Sequence, residues 1–211
     1  MRKLFEIGGL VAAVILIIFG AAAVYMGVDG RSTVQSNIKL EQITGTPDMT
    51  PAAIAKEAKQ AGLPASVNLP TCNVANQAVV DGSTARCFAQ YMRIHTLEAT
   101  GGLTYSQMPR FASSDGKGTN DPAKASQAGG RPLDNPAREI WINETALTTA
   151  LNTAYMADQL SLFGIVVGIA LLLSGLGFGI LAVGGALRNP DTSLSFLHRE
   201  KTPDGVAHPT T

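Results

Sequence analysis

The sequence predicts an all-α membrane protein: two transmembrane helices in a hairpin, with a small, mainly helical and irregular extracytoplasmic domain between them. Three observations lead there. Two long runs near the chain ends carry no charged residue, the stretch between them is polar with scattered alanine, and no run alternates as a strand does. Sixteen Lys+Arg balance sixteen Asp+Glu, and only 15% of the 211 residues are charged. Such a balance argues against a basic nucleic-acid binder and against an acidic tail protein.

Residues 1–6 form a short cytoplasmic start, and residues 7–28 (IGGLVAAVILIIFGAAAVYMGV) form the first span. About 20 helical residues cross a hydrocarbon core of ~30 Å, so this run is long enough. Arg2 and Lys3 before it and Ala21-Ala22-Ala23 within it also resemble a signal peptide. A cleavable apolar core is usually ~7–15 residues, so an uncleaved anchor is expected. Residues 159–187 form the second span, long enough to require tilt or a protruding turn. Short-range positive charge sets the orientation. Arg2 and Lys3 precede the first span, and Arg188, Arg199 and Lys201 follow the second. Both termini are therefore expected in the cytoplasm of a bacterial plasma membrane, with residues 29–158 outside.

Small residues form a stripe on each span: Gly9, Ala13, Gly20 and Gly27 on the first, and Gly164, Gly168, Gly175 and Gly179 on the second. Ala182 and Ala186 extend the latter. Small side chains let helix backbones approach closely in lipid, so these are the expected helix-packing residues. Leu172 and Ile180 are expected to face outward.

Between the spans, Thr50-Pro51 followed by AAIAKEAKQAG predicts a short helix with Thr50 as N-cap and Gly62 as its stop. Residues 85–100 predict a second helix, with Cys87, Tyr91, Ile94 and Leu97 at helical spacing and Gly101-Gly102 ending it. Residues 112–131 hold little to bury and read as a mobile loop. Asp134-Asn135-Pro136 then opens a helix that nothing breaks on its way into the second span. That helix should hold about 50 residues at ~1.5 Å each. The stretch 31–40 is expected to continue the first span, and residues 188–211 to form a disordered cytoplasmic tail.

Cys72 and Cys87 are the two cysteines, with fourteen residues between them. A structural disulfide suits an oxidising compartment and a small core, and a loop of this size is worth roughly 3 kcal/mol. A redox pair and a metal site are the alternatives. His95 is the sole histidine of the 29–158 segment, and Glu98 lies one turn away. The pair is the one weak candidate for acid–base catalysis, though residues at this spacing often simply share a helix surface. Gly116-Lys117-Gly118-Thr119 lacks the Thr after Lys and the first Gly of a phosphate-binding loop, and no serine-hydrolase or zinc-protease motif occurs. No cofactor and no metal ligand set is expected.

The segments MRKLFEIGGLVAAVILIIFGAAAVYMGVDGR, GTPDMTPAAI, RCFAQYMRIHTLEATGG and ETALTTALNTAYMADQLSLFGIVVGIALLLSG resemble a family of actinobacterial two-span membrane proteins of unknown function. Its members often carry the label aromatic ring-opening dioxygenase. The resemblance implies a bacterial inner membrane, and the label implies iron-dependent ring cleavage. Non-haem iron sites of that kind use two histidines and a carboxylate, so a single histidine between the spans takes over no catalytic residue. The expected function is accordingly non-enzymatic. A cell-envelope protein would display a disulfide-stapled domain as a structural or accessory subunit, in contact with the bilayer and with a membrane-protein partner or a second copy. A membrane-anchored enzyme and a two-span sensor are the alternatives.

Overall fold

The computed structural model describes residues 2–184. Its elements are α1 (Arg2–Leu40), α2 (Pro51–Gln60), α3 (Gly82–Ala99), β1 (Gln127–Ala128), β2 (Arg131–Pro132) and α4 (Pro136–Val183). They fall into two compact units, Met1–Val24 with Val166–Thr211, and Tyr25–Ile165. The expected tail, 188–211, and the end of the expected second span lie outside the described residues.

The first unit is the membrane hairpin. Its helices are apolar all round rather than on one stripe, and large side chains such as Ile18, Phe19, Leu173 and Ile180 lie exposed. A helix of that kind has lipid as its solvent. The buried positions are instead the smallest: Ala13 and Gly20 on α1, Gly168, Gly175 and Ala182 on α4. A Cβ added at Gly168 would stand 2.8 Å from the Gly20 carbonyl oxygen and 2.7 Å from Val24 Cγ2. One added at Gly175 would stand 2.8 Å from Ile17 Cγ1 and 3.0 Å from the Ala13 carbonyl oxygen. Seven residues down one helix thus meet seven residues up the other, an antiparallel register. Seven residues bring the same helix face round with only ~20° of drift, so a straight pair stays in contact over this length.

The contact therefore repeats every seven residues rather than every four. Gly9 and Gly179 are only half-buried, and the nearest neighbour of a Cβ at Gly179 would be Ala13 Cβ at 3.8 Å, an ordinary contact. Leu172 departs from its expected outward position. Its Cγ lies 2.9 Å from where a Cβ on Gly20 would sit, so it covers the glycine of the opposite helix. Ile180 does face outward, 71% exposed.

The second unit is built on α2, α3 and the parts of α1 and α4 that belong to it. Thr50 caps α2 by accepting from the Ala53 N–H, and Pro51 takes the first turn, where no N–H is needed. Gly62, at φ +66°, ends it: the Leu63 N–H returns to the Ala58 carbonyl and the Gly62 N–H to that of Lys59. Helix α3 begins three residues before its expected start. Asp81 accepts from the Thr84 N–H while the Thr84 hydroxyl accepts from the Asp81 N–H, a reciprocal cap that carries Gly82 into the helix. Ile54 and Ala58 of α2 pack with Ala85, Phe88, Tyr91, Ile94 and Leu97 of α3, around which Ile38, Val74, Val79, Trp141 and Leu151 close the core. The Trp141 indole N–H donates to the Leu103 carbonyl at 2.9 Å, fixing α4 to the turn that follows α3.

Residues 112–131 contain structure that their composition does not announce. Phe111 and Thr119 exchange backbone hydrogen bonds, and Ala112 and Ser126 are joined by another. β1 and β2 pair antiparallel, with Ala128 opposite Arg131. Gly129 and Gly130 at the tip both take positive φ, which a two-residue hairpin turn of the mirror-image type demands.

In the second unit α1 and α4 also approach closely. A Cβ at Gly27 would stand 2.7 Å from the Ser161 carbonyl oxygen, and Gly164 is half-buried. Gly82 of α3 lies against Asp158 and Tyr155 in the same way.

Replacing Gly168 or Gly175 by Leu should separate the helices of the hairpin without preventing insertion. By analogy with overpacked soluble cores, the loss should be about 1–3 kcal/mol. Thermal unfolding in mild detergent, with Ile180→Val as the lipid-facing control, measures it. Glycine variants that unfold with the control would mean that the close approach contributes nothing.

Candidate functional site

Cys72 and Cys87 are disulfide-bonded, with Cα atoms 6.1 Å apart. Cys87 sits in the first turns of α3 and Cys72 in the extended segment before it, so the bond ties that segment to the helix. Tyr91, one turn beyond Cys87 and wholly buried, donates its hydroxyl to the Cys72 carbonyl at 2.6 Å. Burial pushes the Tyr91 phenol above its ordinary range. Two neighbouring positions of one helix face thus hold the same residue, one covalently and one by hydrogen bond.

The next residue after core-facing Ile94 is His95, which carries the polar centre of this unit. Its Nε2 lies 3.5 Å from Asp48 Oδ2 in the segment between α1 and α2. Its Nδ1 lies 3.8 Å from Glu57 Oε2 of α2 and 3.9 Å from Glu98 Oε2 of its own helix. Glu98 was the partner expected from spacing; Asp48 and Glu57 are additions of the fold. None of these approaches is a hydrogen bond, and Nε2 is screened from solvent with no hydrogen-bond partner. Ligand atoms of Asp48, Glu57 and His95 lie within 4.8 Å of one another.

The Asp48 carboxyl is held below its ordinary 3.8, first by the Thr46 side chain and, less strongly, by His95. A depressed carboxyl stabilises the folded chain above its ordinary value, and the effect is lost as pH falls through the lowered one. On a side chain 38% exposed this contribution is small.

Glu57 had a sequence signal. It stands three residues after Ile54 and one before Ala58, on the stripe of α2 that faces the core. Asp48 follows a proline in a turn and has no periodic neighbour to place it. The structure also joins two charges that lie far apart in the sequence, Arg31 and Asp158. Arg31 Nε donates to Asp158 Oδ1 at 3.1 Å, and Asp158 is 2% exposed. A buried carboxylate of this kind persists because it is paired.

The chain has been compared with family models, with curated proteins and with solved structures, and none of them matches. The functional reading therefore rests on the chain's own sequence and geometry.

Tyr91→Phe removes one buried hydrogen bond and keeps the ring. It should lower stability by about 1 kcal/mol and leave the disulfide formed. Denaturant unfolding together with thiol counting checks both; an unchanged midpoint would show that the phenol contributes nothing to holding the Cys72 segment.

Proposed function

We propose that the chain is a plasma-membrane accessory protein that holds its Tyr25–Ile165 unit outside the cytoplasm and binds another membrane protein along α4. Arg2 and Lys3 before the first span, and the arginines and lysine after the second, support that orientation by the positive-inside rule. On the opposite flank, Arg31 is engaged by Asp158.

The observation that carries the reading is the exposed face of α4. From Thr145 to Ala157 there is no charged residue, yet Thr145, Ala146, Thr149, Ala150, Thr153 and Met156 are all exposed. A helix face bathed in water is ordinarily charged or strongly polar. At its start the face widens into an apolar groove of Tyr105 and Ile142 over Trp141, with Thr145, Ala146 and Thr149 along it. Arg110, Arg138 and Glu139 stand nearby, and the Arg138 guanidinium lies 4.0 Å above the Tyr105 ring. An apolar centre with an arginine-bearing rim is the usual make-up of a protein contact. Toward its other end the exposed face runs through Leu160 into the membrane span, and the one charge it passes, Asp158, is buried. A surface that continues into lipid without a charged break suits a helix that itself continues into lipid. That is why the partner is assigned as a membrane protein.

A photo-crosslinking residue at Ala146 or Met156 in native membranes should yield a discrete adduct with another protein, whereas one at exposed Lys56 of α2 should not. Adducts of two copies of the chain would assign the face to self-association and overturn the accessory reading. So would the absence of any adduct from either α4 position.

A further inference from the structure

Independently of that partner, we propose that Asp48, Glu57 and His95 form a site for one divalent transition-metal ion, zinc or manganese. The ion would pin the Asp48 segment and α2 to α3. The first support is the donor set. One imidazole nitrogen and two carboxylate oxygens come from three separate segments and converge within 4.8 Å, with Glu98 beside them. Mixed imidazole and carboxylate donors suit zinc and manganese, whereas magnesium and calcium prefer oxygen alone.

The second support is the spacing. Two ligands that each lie ~2.1 Å from a shared ion stand about 3–3.5 Å from one another, which is the separation of His95 Nε2 and Asp48 Oδ2. The same separation is too long for a hydrogen bond.

The third is an unmet demand on both sides. His95 Nε2 is buried without a hydrogen-bond partner. Among the described residues, no lysine or arginine nitrogen lies within 4.0 Å of the Asp48, Glu57 or Glu98 carboxylates, and the one basic side chain they share is this imidazole. A buried nitrogen without a hydrogen-bond partner and carboxylates without a lysine or arginine are both satisfied by one bound cation. The cysteines do not compete for it, since they are bonded to each other. Water would complete the coordination. The role is that of a clamp: backbone hydrogen bonds already tie the Asp48 segment to residues 74–79, and the ion would add a direct tie from that segment and from α2 to α3.

The test uses the full-length chain, purified without a histidine tag and with His198→Ala and His208→Ala to remove the imidazoles of the tail. Zinc chloride and manganese chloride are titrated calorimetrically and in thermal unfolding, with magnesium and calcium chlorides as comparisons. One equivalent of zinc or manganese should bind per chain and raise the melting temperature, while magnesium and calcium do neither at the same concentration. His95→Gln and Glu57→Gln should each weaken binding by at least the ~10-fold that loss of even an outer-sphere partner costs. Circular dichroism reports whether each variant folds. If either of these fails to, Asp48→Asn, on a part-exposed segment between helices, supplies the same comparison. Absence of saturable binding in the parent chain, or folded variants that bind as the parent does, would overturn the proposal.

Discussion

The backbone-to-backbone approach of α1 and α4 around Gly20 and Gly168 is the constraint on which the hairpin rests. Between helices in lipid there is no hydrophobic term to draw them together, because lipid tails are as apolar as leucine. What remains is van der Waals contact, which a side chain at either position would forfeit by holding the axes apart. The sequence meets that demand with glycine or alanine every seventh residue and leaves large apolar side chains to face lipid. The requirement is steric at both glycines: each is helical, so flexibility plays no part.

The unit of residues 25–165 has a different problem. Its core sets a few residues of α1, α2 and α4 against the buried face of α3, with single residues from the segments between them, and a core of that size gains from further ties. Each weak point is met by a specific tie. The disulfide and the Tyr91 hydroxyl hold the segment before α3, the Trp141 indole holds the turn after it, and Arg31 neutralises Asp158 beneath Gly82. Arg86 over the Tyr155 ring adds a contact between α3 and α4. The segment carrying Asp48 is tied through the backbone of Ile43, Gly45 and Met49 to residues 74–79, and an ion bound by Asp48, Glu57 and His95 would tie it to α3 as well.

Much of this was legible in the sequence because it is periodic or punctuated. Absence of charge marked both spans, Thr50-Pro51 and Gly62 marked α2, and Asn135-Pro136 marked the start of α4. The core face of α3 followed from the spacing of Cys87, Tyr91, Ile94 and Leu97, all buried. Asp81-Gly82 reads locally as a turn, and only the reciprocal bond to Thr84, together with the need for a small residue against Asp158, turns it into a helix start. Leu172 was misplaced for a related reason. A stripe of small residues says where backbones can approach, but not which neighbouring leucine folds over the gap. The Asp48–Glu57–His95 cluster was beyond reach because it brings a turn and a helix close in sequence against a residue nearly forty positions later, and no local pattern encodes that meeting.

Whether the glycine seam closes within one chain or between two is decided by the position of Ala13 relative to Gly179. A Cβ at Gly179 would lie 3.8 Å from that of Ala13, within the 3.5–4.5 Å range of a disulfide. With both positions changed to cysteine and membranes treated with a mild oxidant, the two should bond within a single polypeptide. The product should run as a monomer on a non-reducing gel and show the linked peptides by mass spectrometry. Covalent dimers, or two free thiols that persist under oxidation, would contradict an intramolecular seam.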